Sequence, residues 1–131
     1  LLAGKEKLRN LVAVVDRNFI QIDGNTEDVL PLGDLAKKYE EFGWHAQEVD
    51  GHNFNELNDA INRAKAVANK PSIIIAITIP SKGVPSFEGD YRWHGNPPGL
   101  GPIEKVAKDK QKEVALAELQ TIDDQLQALK K

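Results

Sequence analysis

The chain has 131 residues, 40% of them apolar, which suits one domain with a core of moderate size. Its 17 Lys and Arg against 20 Asp and Glu give a net charge of −3, so it has no basic surface of the kind that holds nucleic acid by neutralising phosphates. The absence of Cys and Met excludes a disulfide framework and a thiolate metal site, and a reducing cytosol is tolerated. No signal peptide is expected, and the opening Leu1-Leu2-Ala3-Gly4-Lys5, without an initiator Met, reads as an interior segment.

In chain order, the continuous apolar run Leu11 to Asp16 predicts a strand covered on both faces, as in a parallel sheet. It ends in Asp16-Arg17-Asn18, followed by Phe19-Ile20-Gln21-Ile22-Asp23-Gly24. Pro31 predicts a helix start, with Leu32, Leu35, Ala36 and Tyr39 on one side and Gly43 ending it after Phe42. Trp44 to Val49 alternates and reads as a shorter strand. Asn53 and Glu56 resemble a capping box for a helix whose apolar positions are Phe54, Leu57, Ile61, Ala64 and Ala68. Ser72 to Thr78, with Ile73-Ile74-Ile75-Ala76-Ile77, is the strongest strand signal. This βαβαβ order predicts an α/β fold, a parallel sheet with helices on both faces.

From Ser81 to Pro102 the pattern breaks into a Gly- and Pro-rich stretch too long for a simple connection, and a long ordered loop is usually functional. After Pro102 a Lys/Glu/Ala/Leu-rich helix is expected to the C-terminus, with Leu119, Ile122, Leu126 and Leu129 as its apolar stripe. The organisation expected is residues 1–102 as one partial domain and 103–131 as a C-terminal helix.

Four blocks stand in a telling order: Asp16-Arg17-Asn18 through Asp23-Gly24; Phe42-Gly43-Trp44-His45; Glu48-Val49-Asp50-Gly51-His52; and Thr78-Ile79-Pro80-Ser81-Lys82-Gly83-Val84-Pro85-Ser86-Phe87-Glu88 followed by Trp93-His94-Gly95-Asn96-Pro97-Pro98. Together, over about Lys7 to Pro98, they resemble the thiamine diphosphate-binding part of transketolases, in particular the small N-terminal subunit of a split enzyme. The resemblance implies thiamine diphosphate with Mg²⁺ as cofactors. It further implies that Asn18 gives its side-chain oxygen and Ile20 its backbone carbonyl to the metal, and that Ile22 packs on the thiazolium ring. His94 is implied to lie near the diphosphate and the sugar hydroxyls, where an imidazole can move protons near neutral pH. Without the resemblance Ile20 and Ile22 would read as plain core residues. His45 and His52 read as structural, and Lys82 is left out of the site because the usual Gly-Lys-Gly is Ser81-Lys82-Gly83 here.

The chain also departs from the family pattern. No Gly-Asp-Gly precedes Asn18, and in the family its Asp is the one charged protein ligand of the Mg²⁺. The pyrimidine-binding domain and its activating Glu are absent as well. The expectation is therefore a portion of a cytoplasmic transketolase that moves a two-carbon ketol unit between sugar phosphates. It would be inactive alone, prone to self-association, and completed by a pyrimidine-binding subunit or domain; neither nucleic acid nor a membrane is an expected partner. A non-catalytic remnant serving as an interaction protein and another thiamine enzyme such as 1-deoxyxylulose-phosphate synthase remain the alternatives.

Overall fold

The structure, a computed structural model, describes residues 1–103 and 105–130. They form two compact units: Leu1–Asn18 with Pro31–Thr78, and Phe19–Leu30 with the chain from Ile79 onward.

The first unit is a three-stranded parallel sheet. After a short helix α1 (Leu2–Lys5) come β1 (Val12–Arg17) and, beyond the second unit's ribbon β2 (Ile20–Gln21) and β3 (Gly24–Asn25) and its helix α2 (Thr26–Val29), the helix α3 (Leu35–Glu41). β4 (His45–Asp50), α4 (Phe54–Ala66) and β5 (Ser72–Ile77) complete it, in the strand order β1-β5-β4. β5 is the central strand because it is apolar at nearly every position: Ser72 to Ala76 are all buried. Its side chains alternate between two helical layers. Ile74 and Ala76 pack with Val49, Ala60 and Leu57 on the α4 side, while Ile73 and Ile75 pack with Trp44, Leu35, Ala36 and Tyr39 on the other. Each fully buried Ile contributes about 1.5–3 kcal/mol.

In this first unit the expected elements form, with four corrections. β1 is an edge strand and is not covered on both faces: Val12 is 37% and Val14 57% exposed, while Ala13 and Val15 join the core. Val14 is level with Ile74, on the side where α4 packs with β4 and β5 and leaves the outer edge open. α3 begins at Leu35 and not at Pro31, because Gly33 adopts a left-handed φ of +58° and Asp34 caps the helix, its carboxylate accepting from Lys37 N at 3.0 Å. Gly43, at φ +84°, ends it as expected. Asn53 does cap α4, accepting from Asn55 N and Glu56 N, but Glu56 reaches back to Asp50 N and the Asn53 amide rather than to the Asn53 backbone. The buried face of α4 is Leu57, Ala60 and Ala64; Phe54 is 85% exposed, and Ala68 lies beyond the helix.

In the second unit β2 and β3 pair antiparallel, Ile20 with Asn25 and Gln21 with Gly24. The long C-terminal helix is α5 (Gln111–Leu129); a 3₁₀ turn at Lys108–Lys110 precedes it, so the helix starts well after residue 103. Glu104 and Lys131, inside that expected helix, lie outside the described residues. α5 belongs with the Gly- and Pro-rich loop: Ala115 packs with Val84, Phe87 and Trp93, and Glu118 accepts from Ser86 N at 3.1 Å and from its hydroxyl. Of the expected stripe, Ile122 is half-buried, whereas Leu126 is 50% and Leu129 84% exposed.

Candidate functional site

Because the three strands run parallel, their carboxyl ends share one edge of the sheet, and three of the motif blocks arrive there together. The ladder continues one step past the strands, with Thr78 N donating to Arg17 O at 3.2 Å and Gly51 N to Ile77 O at 2.8 Å. Asp16 Oδ1 accepts a short hydrogen bond from the Thr78 hydroxyl, and Asp16 Oδ2 accepts from Asn18 Nδ2 at 3.3 Å. Gly51 closes on this group from the β4 end: a Cβ there would fall 2.5 Å from Thr78 Cγ2 and 2.9 Å from Ile77 O. Asn18, half-buried, is thus held at the carboxyl edge, where open parallel sheets place their ligands. His45 lies on β4, and His52 is in the turn that follows it, its backbone N donating to Asp50 Oδ1 at 2.9 Å, so both have the structural settings expected.

In the second unit Phe19 takes a left-handed φ of +62°, a conformation uncommon for a bulky side chain. Ile20, next to it, is buried at 8% exposure. Ile22 is 74% exposed at the tip of the β2–β3 ribbon, so the plain-core reading fails for it: β2 ends at Gln21, and Ile22 stands in the two-residue turn. β3 packs beside the 3₁₀ turn Tyr91–Trp93, and His94 caps that turn, its N–H donating to Tyr91 O at 2.8 Å and its side chain exposed.

The loop that carries His94 is tightly built. Trp93 stacks on Phe87 with ring centroids 3.7 Å apart and planes 21° from parallel. Gly101 lies so close that a Cβ would fall 2.1 Å from Trp93 Cζ3. Asp90 caps the turn at Arg92 N and holds the Arg92 guanidinium with a 2.7 Å contact, and that side-chain hydrogen bond keeps the Asp90 carboxyl below its ordinary range. Buried Gln111 accepts from Gly99 N at 2.8 Å and donates towards the carbonyls of Gly101, Pro102 and Val106. Lys82 is engaged by Glu88, 3.8 Å away. A hollow of about 390 Å³ in this unit is lined by Arg92, Asn96, Leu100, Ile103 and Lys108 among others, and not by His94.

Within the first unit, then, Asn18 comes together with Asp16, Thr78 and Gly51, residues the motif blocks contain but to which sequence reasoning gave no role. Their signal is faint: Asp16 is two positions from Asn18, whereas Thr78 becomes a neighbour only through strand pairing. Among the described residues no three His, Cys, Asp or Glu side chains are placed to hold a metal; the carboxylate beside Asn18 is that of Asp16, already bonded to Asn18 Nδ2 and the Thr78 hydroxyl.

Residues 1–117 match the model of the transketolase, thiamine diphosphate binding domain family. The chain belongs to the transketolase family. It is 43% identical over 94 residues to the 6-deoxy-6-sulfo-D-fructose transketolase subunit SqwG of Clostridium sp. (strain MSTE9), a match covering 72% of this chain and 34% of that protein. Against an apulose-4-phosphate transketolase subunit of Phocaeicola vulgatus the identity is 35% over 112 residues, covering 82% of this chain and 39% of the other. Transketolase 1 of Escherichia coli (strain K12) is 39% identical over 103 residues, 78% of this chain but 15% of that enzyme. Among solved structures, the transketolase of Campylobacter jejuni matches with a TM-score of 0.65 at 26% identity, over 96% of this chain and 23% of that one. The chain thus spans well under half the length of these transketolases. Among the described residues no helix is long and apolar enough to cross a membrane.

Proposed function

We propose that this chain is the part of a cytoplasmic thiamine diphosphate- and Mg²⁺-dependent transketolase that holds the cofactor's diphosphate end, in an enzyme that transfers a two-carbon ketol unit between sugar phosphates. The observation that carries this reading is the position of Asn18, at the carboxyl edge of a parallel sheet and beside Asp16, in a chain of this family. In the proposal, the Asn18 side-chain oxygen and the Ile20 carbonyl are oxygen donors for the cation, a donor set suited to a hard ion. The exposure of Ile22 supports its facing the thiazolium, since an apolar side chain left open at a ribbon tip has surface to bury. His94, exposed on a rigid turn, is the group proposed to exchange protons with the sugar. When bound, thiamine diphosphate supplies the electron sink for cleavage of the ketose carbon–carbon bond.

The sequence contains no Gly-Asp-Gly, so the negative ligand and the pyrimidine-binding domain must come from outside these residues. Two of the relatives are named as transketolase subunits, which favours a pyrimidine-binding domain supplied by a complementary subunit, in an oligomer. The chain alone should bind thiamine diphosphate and Mg²⁺ weakly or not at all and show no turnover; calorimetric titration checks this, and micromolar Mg²⁺-dependent binding would overturn the need for the missing carboxylate. In a protein that supplies a Gly-Asp-Gly strand and a pyrimidine-binding domain, His94→Ala should lower ketol transfer by about 10² to 10⁴ with the melting temperature nearly unchanged. Transfer within about threefold of the unsubstituted enzyme, well inside the usual acid–base range, would remove His94 from the site.

A further inference from the structure

Asn18 is held by more than its own turn. Its amide nitrogen donates to Asp16 Oδ2, and Asp16 can only accept, so an Asn18 oxygen turned the same way would set two acceptors face to face. The Asp16 carboxylate would itself swing freely on an exposed edge strand, but its other oxygen is fixed by the Thr78 hydroxyl, reached across the sheet from the end of β5. Thr78 is β-branched, so a single torsion sets both its hydroxyl and its methyl. The methyl lies against Gly51, at the end of β4, where any side chain would displace it.

We propose that Gly51, Thr78 and Asp16 form a positioning relay that fixes the Asn18 amide with its nitrogen toward Asp16 and its oxygen turned away, toward the divalent cation. The relay joins the ends of all three strands, so the orientation of one amide depends on the register of the whole sheet. It rests on the proposed reading of Asn18 as a cation ligand and goes beyond it by assigning positioning roles to Asp16, Thr78 and Gly51. Hydrogen-bonding partners of this kind typically change metal affinity about 10- to 100-fold when removed.

The test uses the isotope-labelled 131-residue chain and two readouts by nuclear magnetic resonance. One is the Asn18 χ1 distribution, from three-bond couplings; the other is the broadening of Asn18 signals by Mn²⁺ as the probe cation. The unsubstituted chain should show one χ1 rotamer and selective broadening at Asn18. Thr78→Val keeps the shape and removes the hydroxyl; it should change the Asn18 χ1 distribution and raise the Mn²⁺ needed for half broadening about 10- to 100-fold. Thr78→Ser, which keeps the hydroxyl, should restore both. Gly51→Ala, which pushes on the methyl and also crowds Ile77 O, the acceptor of the Gly51 N–H, should act like Thr78→Val and serves if the Val variant does not fold. An Asn18 χ1 distribution unchanged from the unsubstituted chain in Thr78→Val or Gly51→Ala overturns the relay. With Mn²⁺ raised to millimolar concentration, where even the weak binding expected of the isolated chain broadens signals, rotamers that respond as expected with no broadening at Asn18 would overturn the reading of Asn18 as a ligand and take the relay's purpose with it.

Discussion

Gln111 offers the sharpest test of how the His94 loop is held. Its side chain is fully buried at 0% exposure and meets four backbone groups: Oε1 accepts from Gly99 N at 2.8 Å, and Nε2 faces Pro102 O at 2.7 Å, Val106 O at 3.1 Å and Gly101 O at 3.3 Å. The amide has two protons for three carbonyls, so it makes about three full bonds, each contributing about 0.5–1.5 kcal/mol net. Gln111→Leu keeps most of the volume but leaves a buried N–H and up to three carbonyls without partners, and should cost about 2–4 kcal/mol. Gln111→Glu should be worse than its similar shape suggests, since a carboxylate would replace the donor that faces three carbonyls. Urea unfolding followed by Trp93 fluorescence measures the cost, and hydrogen exchange at the Gly99 amide measures the local opening. A loss below about 0.5 kcal/mol, the range of an ordinary surface change, would show that these bonds do not hold the loop.

Three further outcomes follow from the same geometry. Gly101→Ala drives a Cβ to 2.1 Å from the Trp93 ring, so it should disrupt the Phe87–Trp93 stack and shift tryptophan emission to the red; an unchanged spectrum and stability would refute the close approach. Asp90, whose carboxyl is depressed chiefly by its side-chain hydrogen bond from Arg92, stabilises the fold above the ordinary carboxylate range and loses that contribution as pH falls through its lowered value. Asp90→Asn should therefore be less stable than the parent at pH 7, with the gap closing in acid, and an equal gap at both would count against the pair. Phe19→Gly should exceed Phe19→Ala in stability by about 1 kcal/mol, because both lose the ring but only Ala keeps the strain of the +62° φ; urea midpoints of the two variants decide it.

What could be read in advance, and what could not, follows from the reach of each interaction. β5 was legible because five consecutive apolar residues fit little except a strand buried on both faces, and it is so buried. The run at β1 looks alike, yet Val14 is open, since no local residue says where a helix from another part of the chain will lie. At α3 the start expected from Pro31 gives way to Asp34, whose carboxylate forms a real bond to an N–H three residues on. Ile20 and Ile22 share a residue type and a strand-like spacing but part company because the strand ends between them. Gln111, in a stretch of Lys, Glu and Ala, has the sequence appearance of a surface position; it is buried because the backbone groups of Gly99, Gly101, Pro102 and Val106 close on its amide.

The region around Asn18 shows the same division most clearly. Asp16 is its neighbour by two positions and could be read directly, but Thr78 is 62 residues from Asp16 in the chain. The number that joins them is the register, Asp16 with Ala76 and Arg17 with Ile77, so that the next residues of each strand, Asn18 and Thr78, leave the sheet side by side. A shift of that register by one residue would turn Thr78 to the opposite face and take its hydroxyl away from Asp16, with every side chain still present in the sequence. Register in turn is set by the core, by Ile73 and Ile75 facing α3 and Ile74 and Ala76 facing α4. The apolar pattern that betrays the strand is therefore also what aligns the polar groups at its end, and a substitution deep in β5 that allowed slippage would disturb Asn18 without coming near it.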